Sequence, residues 1–432
     1  MSTDRTSLRK IITLLILFNL ALFIIGFYIK MPSIRSEWLK GPLTNRYSAY
    51  SCENAPKVFF VSTAVFFDLY FIILLTLFSI TKKKKRPNAR FHSFLIIIAL
   101  SSSFFITEYM LRLYMKNSQA HTWYRPHPIL CWWNRPSVKN FKNYSDANVE
   151  SINSRGFRYY EEVPLYKAGN EYRIFTLGNS SAFGVGVADS ETFTAQLESM
   201  LRKRFGQQYR IRAVNAACPG HTTYQNLLEL KTMILPLRPD IVIIANNNDA
   251  ALEYVEEKER VSRNPVIRRL NIILYKSCYY LLFQRVILDL KIFYFDKFTK
   301  TTDKPKLVPR VSIDDYKANI KEMMKLADVN KFKIIFVNMP VNYATLEKFP
   351  FLKEMFYKEA YQEALLGLCA GYNRIIVDVD RGWKANEDYG LFQITYINGI
   401  RTEAHFHPSA KGHLKMAQQI YDAIIQNKLI KE

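Results

Sequence analysis

The sequence has little cysteine, glycine or proline for its length: its 432 residues include five cysteines, 15 glycines and 17 prolines. The low glycine and proline content excludes collagen-like and low-complexity chains. Because 49% of the residues are hydrophobic and 14% are aromatic, a chain disordered throughout is excluded as well. The cysteines form no Cys-x-x-Cys pair, so the sequence indicates neither a disulfide framework nor a cysteine-bound metal.

Acidic residues are also scarce, with 38 Asp and Glu against 60 Lys and Arg, a net charge of +22. About half of this excess lies in residues 1–116, which hold 16 basic and 5 acidic residues. The densest basic run, residues 82–86, is open to a nucleic-acid or nuclear-localisation interpretation. Since the run lies between two apolar segments, a membrane-flanking loop explains it better. We therefore expect no nucleic-acid partner.

Three apolar segments account for most of the first quarter of the chain: residues 11–29, 58–80 and 93–111. Each is close to the ~20 residues that span a hydrocarbon core as a helix. We expect a cytoplasmic tail at residues 1–10 and three transmembrane helices within residues 11–115. A cleavable signal peptide is the alternative for the first segment, but its end, residues 27–30, lacks the small-residue pattern of a cleavage site.

The distribution of basic residues predicts the orientation of these helices. Four lysines and two arginines crowd residues 82–90, and the positive-inside rule places such a short loop in the cytoplasm. Everything after about residue 116 is then outside, so we expect a multi-pass protein of the bacterial inner (plasma) membrane with a periplasmic or extracellular domain. We interpret the helical region, including Asp68 and Glu108, as an anchor in the lipid bilayer with a face for a membrane-protein partner.

The rest of the chain begins with a linker and lead-in at residues 116–170, followed by a predicted α/β domain at residues 171–432. Short apolar strands are predicted at residues 172–177, 211–214, 241–245, 333–337 and 375–379. Helical segments are predicted between and after them at residues 192–205, 224–235, 316–327, 352–368 and 410–425. This alternation predicts a parallel sheet covered on both faces, with functional groups at the carboxyl ends of the strands.

Chemically distinctive residues follow several of these strands. Ser180 lies in a glycine-containing turn between strand and helix, which exposes its hydroxyl, although an N-cap serine is the plainer interpretation. Gly220 follows the second strand, and Asn248 belongs to a run of three asparagines after the third. His407 comes just before the last helix. Zinc binding by His405 and His407 is an alternative that lacks a third ligand.

These four segments, in this order, resemble the conserved blocks of the SGNH/GDSL hydrolase family. Residues 178–184, Gly-Asn-Ser-Ser-Ala-Phe-Gly, are similar to its G-D-S-x-T-x-G block. Gly220 falls at the second-block glycine, residues 246–249 at the G-x-N-D block, and His407-Pro408 at the D-x-x-H block. Residues 152–158 are similar to the lead-in of membrane-anchored bacterial members. The resemblance covers roughly residues 145–426.

The resemblance implies a three-layer α/β/α fold and serine-based acyl chemistry with no cofactor and no metal. Ser180 would be the nucleophile and His407 the base. The N–H groups of Ser180 and Gly220, with the side-chain amide of Asn248, would form the oxyanion hole.

The sequence departs from the family pattern at four positions. Asn179 replaces the usual Asp, Ala182 the Thr and Asn246 the Gly, all of which hydrogen-bond variation can absorb. Ala404 stands where the family has the acid that orients the histidine. Either the adjacent Glu403 takes that role, or a dyad operates with a backbone carbonyl or Asp249 orienting the ring.

Residues 252–309 form an insertion in which apolar clusters alternate with basic residues. The charges argue against a fourth spanning helix. An amphipathic helix on the membrane, a lid over the site, and an additional helical pair packed on the domain all remain open.

From these features we expect a membrane-anchored serine esterase or acyl hydrolase that acts on acyl esters, above all O-acetyl esters, of an envelope glycan or lipid. An O-acetyltransferase on the same substrates is the first alternative. A catalytically degenerate domain that binds a glycan or a membrane partner is the second, because of Ala404.

Overall fold

The computed structural model describes residues 55–81, 89–118, 124–142, 148–253, 256–260, 265–284, 286–287, 307–384 and 390–431. The chain divides into two compact units. The first consists of residues 1–128 and 264–304, and the second of residues 129–263 and 305–432. The central part of the predicted insertion therefore groups with the N-terminal segments rather than with the α/β unit.

Two long apolar helices dominate the described part of the first unit: α1 (Ala55–Thr81) and α2 (Ala89–Ser118). Their windows Val58–Thr76 and Ser93–Leu113 have mean hydropathies of 2.4 and 1.9, and both are long and apolar enough to cross a membrane. They match the second and third predicted segments. The first, residues 11–29, lies outside the described residues.

The first unit also contains the short strand β1 (Tyr124–His127) and two helical pieces of the insertion. The carboxylate of Glu108, on α2, accepts hydrogen bonds from Ser277 Oγ and from the backbone N–H groups of Cys278 and Tyr279, at 2.9 to 3.1 Å. These donors lie at the start of the helical residues 278–284. A carboxylate in this position satisfies the free N–H groups of a helix N-terminus, so Glu108 fixes the insertion to α2.

The second unit is built on a five-stranded sheet with strand order β11-β10-β7-β5-β6, in which every neighbouring pair is parallel. Its strands are β5 (Glu171–Gly178), β6 (Arg210–Asn215), β7 (Ile241–Ala245), β10 (Lys333–Asn338) and β11 (Ile375–Asp378). The interior strand β7 is buried along its whole length. This continuous apolar run is expected of a parallel strand covered on both faces.

The principal helices of this unit are α3 (Ser180–Phe183), α4 (Phe193–Phe205), α5 (Thr223–Glu229), α8 (Ile313–Asn330), α11 (Glu359–Gly371) and α13 (Ala410–Gln426). The chain reverses its direction across the sheet after β6, and right-handed crossovers therefore put α4 on one face and α5 on the other. In agreement, α13 packs on α4, and α8 packs on α5 and α11. The described part of the unit is an α/β domain with a central parallel sheet.

Shorter elements complete the described chain. The strands are β2 (Cys131–Asn134), β3 (Val138–Lys142), β4 (Asn148–Ile152), β8 (Leu252–Glu253) and β9 (Val308–Pro309). The helices are α6 (Glu257–Arg260), α7 (Pro265–Leu274), α9 (Tyr343–Lys348), α10 (Pro350–Phe356) and α12 (Val379–Lys384). Helix α5 continues into one π turn and one 3₁₀ turn up to Leu237.

The structure differs from the sequence expectations at two places. The predicted helix at residues 352–368 is two helices, α10 and α11, because Tyr357 and Lys358 adopt extended backbone angles. The segment that carries His407, for which no strand was predicted, is the strand β13 (Ile400–Pro408), which pairs antiparallel with β12 (Phe392–Ile397). The Asn398-Gly399 turn between them has positive φ at both residues, as a tight hairpin requires.

Candidate active site

The turn between β5 and α3 positions Ser180. Gly178, the last residue of β5, lies so close to the adjacent strand β7 that an added Cβ would be 2.0 Å from the carbonyl oxygen of Ala245. Only glycine fits there. Asn179 then caps α3, because its Oδ1 accepts a hydrogen bond from the backbone N–H of Ser181 at 3.2 Å. The N-cap is therefore Asn179, and the Ser180 hydroxyl is available for another partner.

That partner is His407. The Ser180 Oγ lies 2.9 Å from His407 Nε2, and both residues are half-buried. The Ser181 hydroxyl, on the same turn, donates to the carbonyl oxygen of Phe406 at 2.8 Å. Gln393, on β12, donates to the carbonyl oxygen of Pro408. The first bond holds β13 against the start of α3, and the second joins β12 to β13, so that strand pairing and the turn together fix the serine–histidine distance.

Burial lowers the pKa of His407 to about 4 because it penalises the charged imidazolium. The ring is therefore neutral at pH 7, and Nε2 can accept the proton of the Ser180 hydroxyl. A neutral imidazole within hydrogen-bonding distance of a serine hydroxyl is the arrangement that general-base activation of a nucleophile needs.

The structure does not bring Glu403 to His407. Its carboxylate accepts hydrogen bonds from Asn342 Nδ2 at 3.0 Å and from the backbone N–H of Gly390 at 3.1 Å. Glu403 and His407 are both on β13, four residues apart, and four residues of a strand span about 13 Å. The carboxylate of Glu403 is therefore too far along the strand to orient the His407 ring. Asp249 is also engaged elsewhere, since its Oδ1 accepts from the N–H and the hydroxyl of Thr223 at the start of α5.

The three asparagines after β7 each have a defined partner. Asn246 donates to the carbonyl oxygen of His221 and to Asn226 Oδ1, at 3.0 and 2.7 Å. Asn247 accepts from Asn179 Nδ2 at 2.6 Å. Asn248 Nδ2 lies 3.1 Å from the carbonyl oxygen of Gly220. The run therefore joins the turns that follow β5 and β6. This is expected, because buried side-chain amides in proteins are hydrogen-bonded.

Gly220 has the left-handed backbone angle of φ +82°. An added Cβ would lie 3.2 Å from the Trp132 ring, so both conformation and space favour glycine. Through the bond to Asn248, the turn after β6 and the asparagine after β7 are fixed to each other. Ser180, Gly220 and Asn248 thus follow the three adjacent strands β5, β6 and β7 at one edge of the sheet.

Arg158 supports the serine turn and was not singled out as a functional residue from the sequence. Its guanidinium donates to the carbonyl oxygens of Phe183, Gly184 and Val187 at 2.7 to 2.9 Å. It also forms an ion pair with Asp189 at 2.6 Å. The Arg-Gly-Phe-Arg run before β5 was the only sequence signal, and it gave no indication of which carbonyls the second arginine would bind.

The zinc alternative has no structural support among the described residues, where no group of three or more His, Cys, Asp or Glu side chains could hold a metal ion. The His405 ring lies against the rings of Phe356 and Phe406, with centroid distances of 5.5 and 4.5 Å. Burial lowers its pKa to about 4 as well, with a smaller contribution from His407.

A serine hydrogen-bonded to a neutral histidine at the carboxyl edge of a parallel sheet defines a site of the serine-hydrolase type. The model of the GDSL-like lipase/acylhydrolase family matches residues 176–415. This range is more than half of the chain and includes Ser180, Gly220, Asn248 and His407, and the chain belongs to that family. No curated protein matched the sequence.

Several solved structures match part of this chain at low sequence identity. A lipase/acylhydrolase from Enterococcus faecalis has 15% identity and a TM-score of 0.37, with 59% of this chain and 96% of that chain covered. An acetylxylan esterase from Geobacillus stearothermophilus has 16% identity and a TM-score of 0.35, with 59% and 95% covered. An α/β hydrolase from the metagenome of Lake Arreo, Spain, has 14% identity and a TM-score of 0.36, with 60% and 96% covered.

Proposed function

We propose that this protein is a membrane-anchored serine esterase that removes small acyl groups, above all O-acetyl groups, from a glycan or lipid of the cell envelope. The observation that carries the proposal is the 2.9 Å distance between Ser180 Oγ and His407 Nε2 at the strand-end edge of the sheet. Family membership supports the same chemistry, because the family is one of lipases and acylhydrolases.

In the proposed acylation step, His407 Nε2 takes the proton of Ser180 as its Oγ attacks the ester carbonyl carbon. The backbone N–H groups of Ser180 and Gly220 and the amide of Asn248 then stabilise the oxyanion of the tetrahedral intermediate. The intermediate collapses when the ester C–O bond breaks, and His407 returns the proton to the leaving alcohol. The products are the alcohol and an acyl ester on Ser180.

In the second step, water attacks the acyl ester with His407 again accepting a proton, and the acid leaves as Ser180 is restored. A sugar hydroxyl in place of that water would give an O-acetyltransferase, which shares every residue of the first step. Because Glu403 and Asp249 bond to other groups, we propose that Ser180 and His407 act as a dyad.

The first unit supports membrane anchoring. Large apolar side chains project from α2, with Phe105 exposed at 69%, Tyr109 at 63% and Ile97 at 60%. Exposed apolar surface of this density on a helix long enough to span a bilayer favours lipid as its surroundings. The net charge of +22 favours an anionic, membrane-proximal substrate.

A fluorophosphonate probe tests the catalytic proposal in the full-length protein in detergent. We expect labelling of the wild type, loss of labelling in Ser180→Ala and His407→Ala, and retention in Ser190→Ala, which changes an exposed serine of the same region. Folded wild-type protein that does not react would instead favour the catalytically degenerate binding domain, the alternative based on Ala404 in place of the family's acid.

A reporter fused after Glu432 tests the orientation. We expect activity of a reporter that functions only outside the cytoplasm, because the basic loop at residues 82–90 is retained inside. Activity of a cytoplasm-dependent reporter at the same position would contradict the proposed orientation and leave the esterase chemistry untouched.

A further inference from the structure

A small pocket lies at the carboxyl ends of β7 and β10. Its lining includes Asn247, Asp249, Tyr316, Phe356, Tyr361 and Phe406. Asn247 is hydrogen-bonded to Asn179, the residue before Ser180. Phe406 is the residue before His407. The pocket is therefore connected to the reactive pair through two of its lining residues: Phe406 precedes His407 in the chain, and Asn247 is hydrogen-bonded to the residue before Ser180.

The orientation of the Asn247 amide follows from a chain of hydrogen bonds. The backbone N–H of Ser181 can only donate, so the atom of Asn179 that it contacts at 3.2 Å is Oδ1. The amide nitrogen of Asn179 must then donate to Asn247 Oδ1, at 2.6 Å. Asn247 consequently has its own NH₂ group directed away from Asn179. That nitrogen is buried and has no hydrogen-bond partner among the described residues.

Asp249, which lines the same pocket, contributes a hydrogen-bond acceptor. Thr223 occupies its Oδ1 with two hydrogen bonds, at 2.9 and 2.6 Å. Its Oδ2 is buried and has no hydrogen-bond partner among the described residues. Burial raises the pKa of Asp249 to about 6, so the carboxyl is mostly ionised at pH 7 and accepts hydrogen bonds. Buried polar atoms without partners are rare and indicate a ligand or water.

We propose that this pocket binds a hydroxyl group of a carbohydrate substrate, which accepts a hydrogen bond from Asn247 and donates one to Asp249. A hydroxyl is the small neutral group that offers both a donor and an acceptor. The aromatic walls suit the apolar face of a sugar ring. This inference rests on the proposed esterase function and names its substrate class: esters of polyhydroxylated alcohols, rather than esters whose alcohol carries no free hydroxyl.

The departure of Asn179 from the family pattern is central to this arrangement. An aspartate at position 179 could still accept from Ser181 N–H and keep the helix cap. Its second oxygen, however, would accept from the Asn247 NH₂ group and turn that donor away from the pocket. The Asn179→Asp variant therefore removes the pocket's donor by reversing one amide, with no change of side-chain size.

Three isosteric variants of the full-length protein in detergent test the inference. Asn179→Asp redirects the donor, and Asn247→Asp replaces it with an acceptor. Asn398→Asp makes the same chemical change at the exposed hairpin turn, where Asp before Gly is equally accepted. Each variant is compared with the wild type in kcat/KM for two acetates: a methyl glucopyranoside carrying one acetyl ester, and cyclohexyl acetate, which has no hydroxyl.

We expect the wild type to prefer the sugar acetate, and Asn179→Asp and Asn247→Asp to lower that preference at least ~10-fold, or ~1.4 kcal/mol. The change should appear mainly in KM, and Asn398→Asp should keep the wild-type ratio. Equal ratios in all four proteins would overturn the inference, as would a wild type with no preference.

A binding measurement separates this inference from the esterase proposal. The same sugar acetate is titrated calorimetrically into Ser180→Ala and into the Ser180→Ala/Asn179→Asp double variant. Binding to the first that is weakened ~10-fold in the second supports the pocket even if the wild type cleaves neither acetate, a result that would defeat only the esterase proposal. Equal affinities, or no binding to either protein, would overturn the pocket assignment.

Discussion

The guanidinium of Arg158 lies over the ring of Phe183, 5.0 Å from its centroid, and donates a hydrogen bond to the carbonyl oxygen of the same residue at 2.9 Å. Phe183 ends the short helix that begins at Ser180. The arginine thus binds the C-terminal end of the short helix that begins at the nucleophile, while Asn179 caps its N-terminal end. A buried cation that binds three carbonyl oxygens and a carboxylate rigidifies this turn.

Replacing this arginine should therefore cost both stability and activity. We expect Arg158→Ala to lower the free energy of unfolding by about 3–5 kcal/mol, because it removes a buried cation from Asp189 and from three carbonyl groups. Denaturant unfolding followed by tryptophan fluorescence measures the loss. The control is Arg210→Ala, which removes an exposed ion pair with Glu161 and should cost less than about 1 kcal/mol. Equal losses for the two variants would contradict this role of Arg158.

The depressed pKa of His407 predicts an unusual acid limit of activity. Protonation of Nε2 abolishes its capacity as a base, and burial holds the folded-state pKa near 4, below the value of about 6.5 for an exposed histidine. Activity toward p-nitrophenyl acetate should therefore persist from pH 7 down to about pH 5 and fall to half near pH 4. Fluorescence at each pH verifies that the protein is folded. A half-point at pH 6.5 with the fold intact would show that burial does not depress this pKa.

The position of Glu403 predicts that its charge contributes little to catalysis. We expect Glu403→Gln to change the acylation rate by less than ~2-fold, because the carboxylate bonds to Asn342 and Gly390 rather than to the histidine. Stopped-flow release of p-nitrophenolate measures that rate. A loss of ~10-fold or more, equivalent to ~1.4 kcal/mol, would show that this carboxylate orients the imidazole after all.

Glu108 should control how firmly the insertion is attached within the first unit. In Glu108→Ala the N–H groups of Cys278 and Tyr279 lose their acceptor, and a helix N-terminus without a cap frays. We expect faster maleimide labelling of Cys278, quantified on its peptide by mass spectrometry in the detergent-solubilised protein. Glu259→Ala, a change of an exposed glutamate in the other unit, should leave that rate unchanged. An equal rate in Glu108→Ala would indicate that the carboxylate does not hold the helix.

Much of the α/β unit could be predicted from the sequence, because its strands are short apolar runs separated by helices. The predicted strand at residues 241–245 coincides with β7, since a parallel strand buried on both faces must be apolar throughout. The β12–β13 hairpin was not predicted. Its strands are half exposed and alternate irregularly, and their pairing is set by tertiary contacts rather than by a continuous apolar pattern.

The residues of the site likewise divide into those that could be predicted from the sequence and those that could not. Ser180, Gly220, Asn248 and His407 could be selected because they follow strands or lie in recognisable family blocks. The roles of Arg158 and Asn247 could not, since each depends on which backbone or amide atom faces it across the fold. The direction of the Asn247 amide, for example, is decided by one N–H group at Ser181, a relationship that no local sequence pattern encodes.

The most direct test of the serine-esterase account is the covalent intermediate. The full-length protein in detergent is mixed with p-nitrophenyl acetate, quenched in acid within the first turnover and digested for mass spectrometry. We predict an acetyl group on the Ser180 peptide of the wild type and of Ser190→Ala, none in Ser180→Ala, and at least ~10³-fold slower acylation in His407→Ala. Turnover by folded wild-type protein with no acetyl group on Ser180, or unchanged turnover in Ser180→Ala, would contradict the account.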